Sequence, residues 1–151
     1  MTPPIYPSIA ETLHLYRNKQ ASPVEVVSAH LERAQALQPR LNAFVHLDAE
    51  SALARARNTE AAFLQGGGGA RSPLAGIPLT IKSCIDVAGW PCPAGSLLRN
   101  EYVPTSDAVL VRRLEAAGAI LLGNTNVPEF LMAYETDNRV NGKTSNPWNL
   151  A

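Results

Sequence analysis

Pro73-Leu74-Ala75-Gly76-Ile77-Pro78-Leu79-Thr80-Ile81-Lys82 is the stretch whose reading decides the fold. Ile77, Leu79 and Ile81, with Thr80 between, have the apolar, β-branched look of a buried central strand. The strand ends on a lysine. The chain holds three lysines against ten arginines, so lysine here is not routine surface decoration. An ammonium at the end of such a strand loses water. Desolvation disfavours its charged form and draws the pKa down toward that of a usable base. The plainer reading is a strand cap, with Lys82 at the solvent end paired to a carboxylate such as Asp86. Position alone favours the plainer reading; the surrounding motifs reverse it.

Working outward, 151 residues suffice for one domain with a real core. A 46% apolar and 17% charged composition is globular. Zero net charge and no basic stripe argue against nucleic-acid binding. No run approaches the ~18 apolar residues of a membrane span. The N-terminus, Met1-Thr2-Pro3-Pro4-Ile5-Tyr6-Pro7, lacks the charged and apolar regions of a signal peptide. Cys84 and Cys92 then read as free thiols in a reducing cytoplasm. Two cysteines without a nearby histidine make no zinc site.

Ser8-Ile9-Ala10-Glu11 is a capping box, and a first helix should run to about Asn18. Ser22-Pro23-Val24-Glu25 repeats the device, with proline at the first helical position. Val27, Leu31, Ala34 and Leu37 stripe this second helix, and Pro39 is expected to stop it. Residues 43–47 read as a short strand, with His46 a strand residue of no chemical role. Asp48 caps a third helix to about Leu64, and His14 and His30 look like ordinary helix positions. Residues 1–65 form an N-terminal helical segment expected to pack on the core, 66–72 a glycine-rich linker, and 73–151 the first part of an α/β core. In that core, strand 77–82 is followed by a glycine- and proline-rich loop. Ser106-Asp107 should cap a helix carrying Val109, Leu110, Leu114 and Ala117, closed by Gly118. Ala119-Ile120-Leu121-Leu122 is the next strand, which suggests a right-handed parallel crossover. Asn146-Pro147 marks a turn.

Two patterns mislead. Gly118 to Thr125 has phosphate-loop spacing, but Asn124 stands in place of the lysine and the intervening residues form a strand. Glu129 and Glu135 read as surface charges around a short helix rather than an acid/base pair.

The stretch from Pro73 to Asn149 resembles the amidase signature family. The residues that carry the likeness come in order: Pro73 to Pro78, then Ile85-Asp86-Val87-Ala88-Gly89-Trp90 and Ala94-Gly95-Ser96. Asp107-Ala108-Val109, Leu114 to Gly123, Asn124 to Phe130 and Thr144-Ser145-Asn146-Pro147-Trp148-Asn149 complete it. Ser22 to Glu25 and Leu41-Asn42-Ala43-Phe44 extend it toward the N-terminus. The resemblance implies a mixed sheet wrapped by helices, of which this chain carries the N-terminal part. It implies hydrolysis of linear amides by a triad of a nucleophilic serine, a second serine on a cis peptide, and a neutral lysine base, Lys82 by motif. It implies no metal or organic cofactor, a small-molecule amide substrate of the full-length parent and, as one assembly open to it, a homodimer. Met132, Ala133 and Tyr134 resemble the part that lines the acyl pocket.

The departures carry weight. In family members a glycine- and serine-rich stretch after the Asn-Pro-Trp motif carries the relay serine, and the nucleophile follows; Ala151 precedes both. Ser83, Ser96, Ser106 and Ser145 are the serines near the motifs, and none replaces them. Ser83-Cys84 stands where the family usually has Asp-Asn, and Asn124 where many members carry lysine. The expectation is therefore an inactive front portion of an amidase. The alternatives are the A subunit of a tRNA-dependent amidotransferase, from which Pro128 departs, and a non-catalytic fragment. Such a portion should expose apolar surface and unpaired strand edges and tend to aggregate. A monodisperse monomer that melts cooperatively and binds no apolar dye would contradict this.

Overall fold

The computed structural model describes residues 7–65 and 72–149. The glycine run at 66–69 and residues 1–6, read from the sequence as a linker and as a terminus without a signal peptide, lie outside the described residues. Helix α1 (Ile9–Arg17) starts where Ser8 Oγ accepts from the Glu11 amide and the Glu11 carboxylate accepts from the Ser8 amide. The Ser8 hydroxyl also donates to the Glu11 carboxylate, and this bond, with that from the Ser8 amide, holds the Glu11 carboxyl below its ordinary value. Helix α2 (Pro23–Leu41) begins with the same reciprocal box between Ser22 and Glu25. Strand β1 (Phe44–Leu47) leads into α3 (Ala49–Leu64), whose N-cap Asp48 accepts from the Ser51 amide. Strand β2 (Pro78–Lys82), helix α4 (Val109–Ala116) and strand β3 (Ile120–Thr125) follow.

The sheet order is β1-β3-β2, with β1 antiparallel and β2 parallel to β3. Alternate residues of β3 serve opposite faces. Ile120 and Leu122 pack against Val27 and Leu31 of α2 and Ala52 and Ala56 of α3. Leu121 joins Ile81, Val87, Trp90 and Val111 on the other face. Leu13, Tyr16 and Ile77 make a third cluster under α1, where Tyr16 donates to the Gly76 carbonyl at 3.2 Å. Burial there pushes the Tyr16 phenol up from its ordinary value.

Three sequence expectations are corrected. Strand β3, not β2, is central; β2 lies at an edge with Thr80 and Lys82 exposed. The apolar residues Ile77, Leu79 and Ile81 alternate onto one covered face, which a strand at an edge can share with a central one. Pro39 does not stop α2, which continues to Leu41 and ends on Asn42 in the left-handed region. Proline removes one bond, to the carbonyl of Gln35, and Gln35 is exposed, so water can replace it. Helix α4 has Ala108 at its N-cap with no side-chain cap, because Asp107 Oδ1 instead accepts from the Ala88 amide at 2.7 Å. The next strand also extends beyond Leu122 to Thr125. Gly118 closes α4 as read, with φ +92°. Cys84 and Cys92 are free thiols. Large apolar side chains stand exposed at Leu97, Leu98, Phe130, Leu131, Met132 and Tyr134.

Candidate functional site

Lys82 is the last residue of β2 and pairs with Thr125, the last of β3. It therefore sits at the carboxyl end of a parallel strand pair, the end at which open α/β sheets present their ligands. Its side chain is exposed, so residues 7–65 and 72–149 do not supply the desolvation that the sequence argument assumed. Nor does it pair with Asp86. No carboxylate of the described residues lies within 4.0 Å of its ammonium. Asp86 is held elsewhere: Tyr102 donates to it at 3.1 Å and Arg99 lies 3.7 Å from it. The Arg99 guanidinium also stacks 4.0 Å above the Tyr102 ring. This cluster folds the 83–104 loop back toward the strand end.

The neighbours of Lys82 are not nucleophiles. Ser83, the first residue past the strand, is fully buried, and its Oγ has no hydrogen-bond partner among the described residues. Cys84 has left the strand for the turn in which the Ile85 amide donates to the Lys82 carbonyl. Burial, helped by the nearby Asp86, pushes the Cys92 thiol up to about 11, the reverse of an activated thiolate. His46 lies in β1 with its ring 5.2 Å from that of Trp90, whose Nε1 donates to Asp48.

Ala94 links the strand end to the segment 129–134. Its amide donates to the Ser83 carbonyl and its carbonyl accepts from the Phe130 amide, both at 2.9 Å. Phe130 and Leu131 adopt left-handed φ values of 47° and 62° within a 3-10 turn, Glu129–Leu131. Glu129, read as a surface charge, accepts from Ser96 Oγ at 2.7 Å. Met132, Ala133 and Tyr134 follow the turn, exposed, with Met132 at 85%. The next loop is pinned by amides. Asn138 donates to the Asn126 side chain and the Val127 carbonyl, both at 2.8 Å, and Asn126 donates to the Gly142 carbonyl. Thr144 Oγ1 donates to the Asn42 carbonyl at 2.7 Å.

Sequence reasoning did not anticipate the Ser96–Glu129 contact or the Asn126–Asn138 contact. A signal existed in the crowding of asparagines from Asn124 to Asn149, since asparagine side chains favour loop backbone over regular ladders. Among the described residues no cluster of three or more His, Cys, Asp or Glu could hold a metal ion, and no helix is long and apolar enough to cross a membrane.

The fold and site define a mixed α/β chain that presents a lysine at the carboxyl end of a parallel strand pair. The Amidase family profile matches residues 25–151. The chain is 40% identical over 144 residues to the A subunit of glutamyl-tRNA(Gln) amidotransferase from Salinispora tropica, covering 95% of this chain and 29% of that protein. It superposes on the native peptide amidase of Stenotrophomonas maltophilia with a TM-score of 0.85 at 32% identity, over 98% of this chain and 31% of that one. A bacterial aryl acylamidase of the amidase signature enzymes matches with a TM-score of 0.85 at 30% identity, over 99% and 31%. The chain belongs to the amidase signature family. It spans 29 to 31% of the length of these relatives.

Proposed function

We propose that this chain is the N-terminal part of a cytoplasmic amide hydrolase that uses a serine–cis-serine–lysine triad, with Lys82 as its base. The observation that carries the reading is the placement of an exposed, carboxylate-free lysine at the carboxyl end of β2 beside β3. Within that reading, residues 1–65 form the helical support, 66–72 the linker and 73–151 the front of the catalytic core.

In the complete enzyme, polypeptide covering the strand end would exclude water from Lys82 and favour its neutral form. The neutral amine would take a proton from the relay serine, which takes one from the nucleophile as that serine attacks the amide carbon. The leaving amine would collect the proton from lysine through the same relay. Met132, Ala133 and Tyr134 would border the acyl group of a linear amide. No cofactor is required by this chemistry.

A second reading, the A subunit of a tRNA-dependent amidotransferase, is favoured by the relative at 40% identity. The proline at position 128 weighs toward a general amidase. A third reading, a non-catalytic module, rests on the lack of a solvent-accessible serine hydroxyl beside Lys82 among the described residues, Ser83 being fully buried.

The test is ammonia release from simple linear amides and from glutamine by the product of the complete reading frame. Turnover of simple amides unaided supports the hydrolase. Glutamine turnover only with partner subunits supports the amidotransferase, and neither activity in folded protein supports the module. Lys82→Ala should lower kcat at least about 100-fold, the scale of a lost general base. A variant within threefold of wild type would remove Lys82 from the mechanism.

A further inference from the structure

We infer that Glu129 and Ser96 form a positioning pair that holds the segment Met132–Tyr134 at a fixed place relative to Lys82; the functional value of that placement rests on the proposed reading of the site. Four residues near this contact lie in the left-handed region: Ala94 and Gly95 at φ 51° and 66°, Phe130 and Leu131 at 47° and 62°. For alanine, phenylalanine and leucine that conformation is strained, so surrounding contacts must enforce it.

Those contacts are backbone against backbone. The chain at Gly95 rests directly on the chain at 127–129. A Cβ there would stand 2.7 Å from the Val127 carbonyl oxygen and 3.0 Å from the Glu129 nitrogen. The two segments are joined by the Phe130 amide donating to the Ala94 carbonyl, and by Ser96 Oγ donating to Glu129 Oε1. Ser96 has no exposed surface and also caps the 3-10 turn Leu97–Arg99 through the Leu98 amide. The same strap reaches the base, because the Ala94 amide donates to the carbonyl of Ser83, one residue after Lys82.

The path from Lys82 to the exposed segment thus runs through two backbone bonds of Ala94. A single side-chain pair, Ser96–Glu129, closes the strap against the strained turn. The hydroxyl-to-carboxylate bond is charge-assisted and among the stronger kinds. Its removal should free the left-handed turn to relax without unfolding the sheet.

Hydrogen exchange of the purified chain, resolved by residue, tests the pair and needs no substrate. In Glu129→Ala the amides of Phe130, Leu131 and Met132, bonded to Ala94, Pro128 and Glu129 respectively, should exchange about 10- to 100-fold faster, the range of one lost charged hydrogen bond. Leu121 and Leu122 in β3 should keep wild-type exchange. Glu129→Gln keeps an acceptor at the same place without the charge and should exchange about 3- to 10-fold faster than wild type, slower than Glu129→Ala. Ser96→Ala should match Glu129→Ala; if burial at Ser96 prevents folding, the two Glu129 variants decide alone. Unchanged exchange in Glu129→Ala overturns the inference, as does a Gln variant that behaves like Ala. Equal acceleration in β3 also overturns it, since the effect would then be global. Failure of amide hydrolysis would leave these exchange rates untouched, so the two readings fail separately.

Discussion

Gly123→Ala should be the most damaging single methyl in this fold. Gly123 lies in β3 opposite Leu47 of β1. An ideal Cβ there would stand 2.1 Å from the His46 carbonyl oxygen and 3.0 Å from Leu47 Cα. Both obstacles are backbone, so no rotamer change can relieve them, and β1 must move away by roughly an ångström to reach ordinary contact. The bonds that bracket this crossing are Asp48 N–H to the Leu122 carbonyl and Asn126 N–H to the Ala43 carbonyl, each 2.9 Å. Losing both costs about 1–3 kcal/mol, and the overpacking itself adds about 1–3 kcal/mol. The sum, about 4 kcal/mol, is a large share of the 5–15 kcal/mol typical of a domain. In urea unfolding with a slope of about 2 kcal/mol per molar, the midpoint should fall by about 2 M. Gly89→Ala is the control, because nothing lies within 4 Å of its added methyl while its φ is +79°. It should cost only the conformational penalty of about 1 kcal/mol. A Gly123→Ala midpoint within 0.3 M of wild type (~0.6 kcal/mol at that slope) would refute the claim that β1 and β3 are locked by backbone contact.

Asp48→Ala should lose both the cap of α3 and the acceptor for Trp90 Nε1, lowering stability by about 1–3 kcal/mol. In a Trp148→Phe background, which removes an indole that is 87% exposed, Trp90 fluorescence should shift to the red in the same variant; an unchanged spectrum would count against the bond. The Cys92 thiol gives a pH dependence. Its folded value of about 11 lies above the ordinary 9.0, so the unfolded state loses its proton first. The stability it contributes is complete below about pH 9 and falls as pH rises toward 11. Cys92→Ala should flatten that alkaline decline in urea midpoints, and an identical slope in both proteins would exclude Cys92 as its source.

The starts of α1 and α2 were legible in the sequence because they are local. Ser8–Glu11 and Ser22–Glu25 close their bonds within one turn, whatever packs nearby. Residues 77–82 were recognisable as a strand for a similar reason, by composition alone. Its rank in the sheet was not legible, since edge and centre differ only in what lies alongside. Pro39 misled because its cost depends on whether water reaches one carbonyl.

The ordered run of motifs from Pro73 to Asn149 identified the family. Sequence by itself also set the order of helices and strands and the caps of α1, α2 and α3, through interactions spanning three or four residues. Tertiary structure alone decided that β3 is central, that Asp86 serves Arg99 and Tyr102 instead of Lys82, and that Glu129 reaches Ser96 across 33 residues. Each of those outcomes is a contact between distant parts of the chain. Its existence depends on where the intervening loops bring the backbone, and no local pattern of residues encodes that.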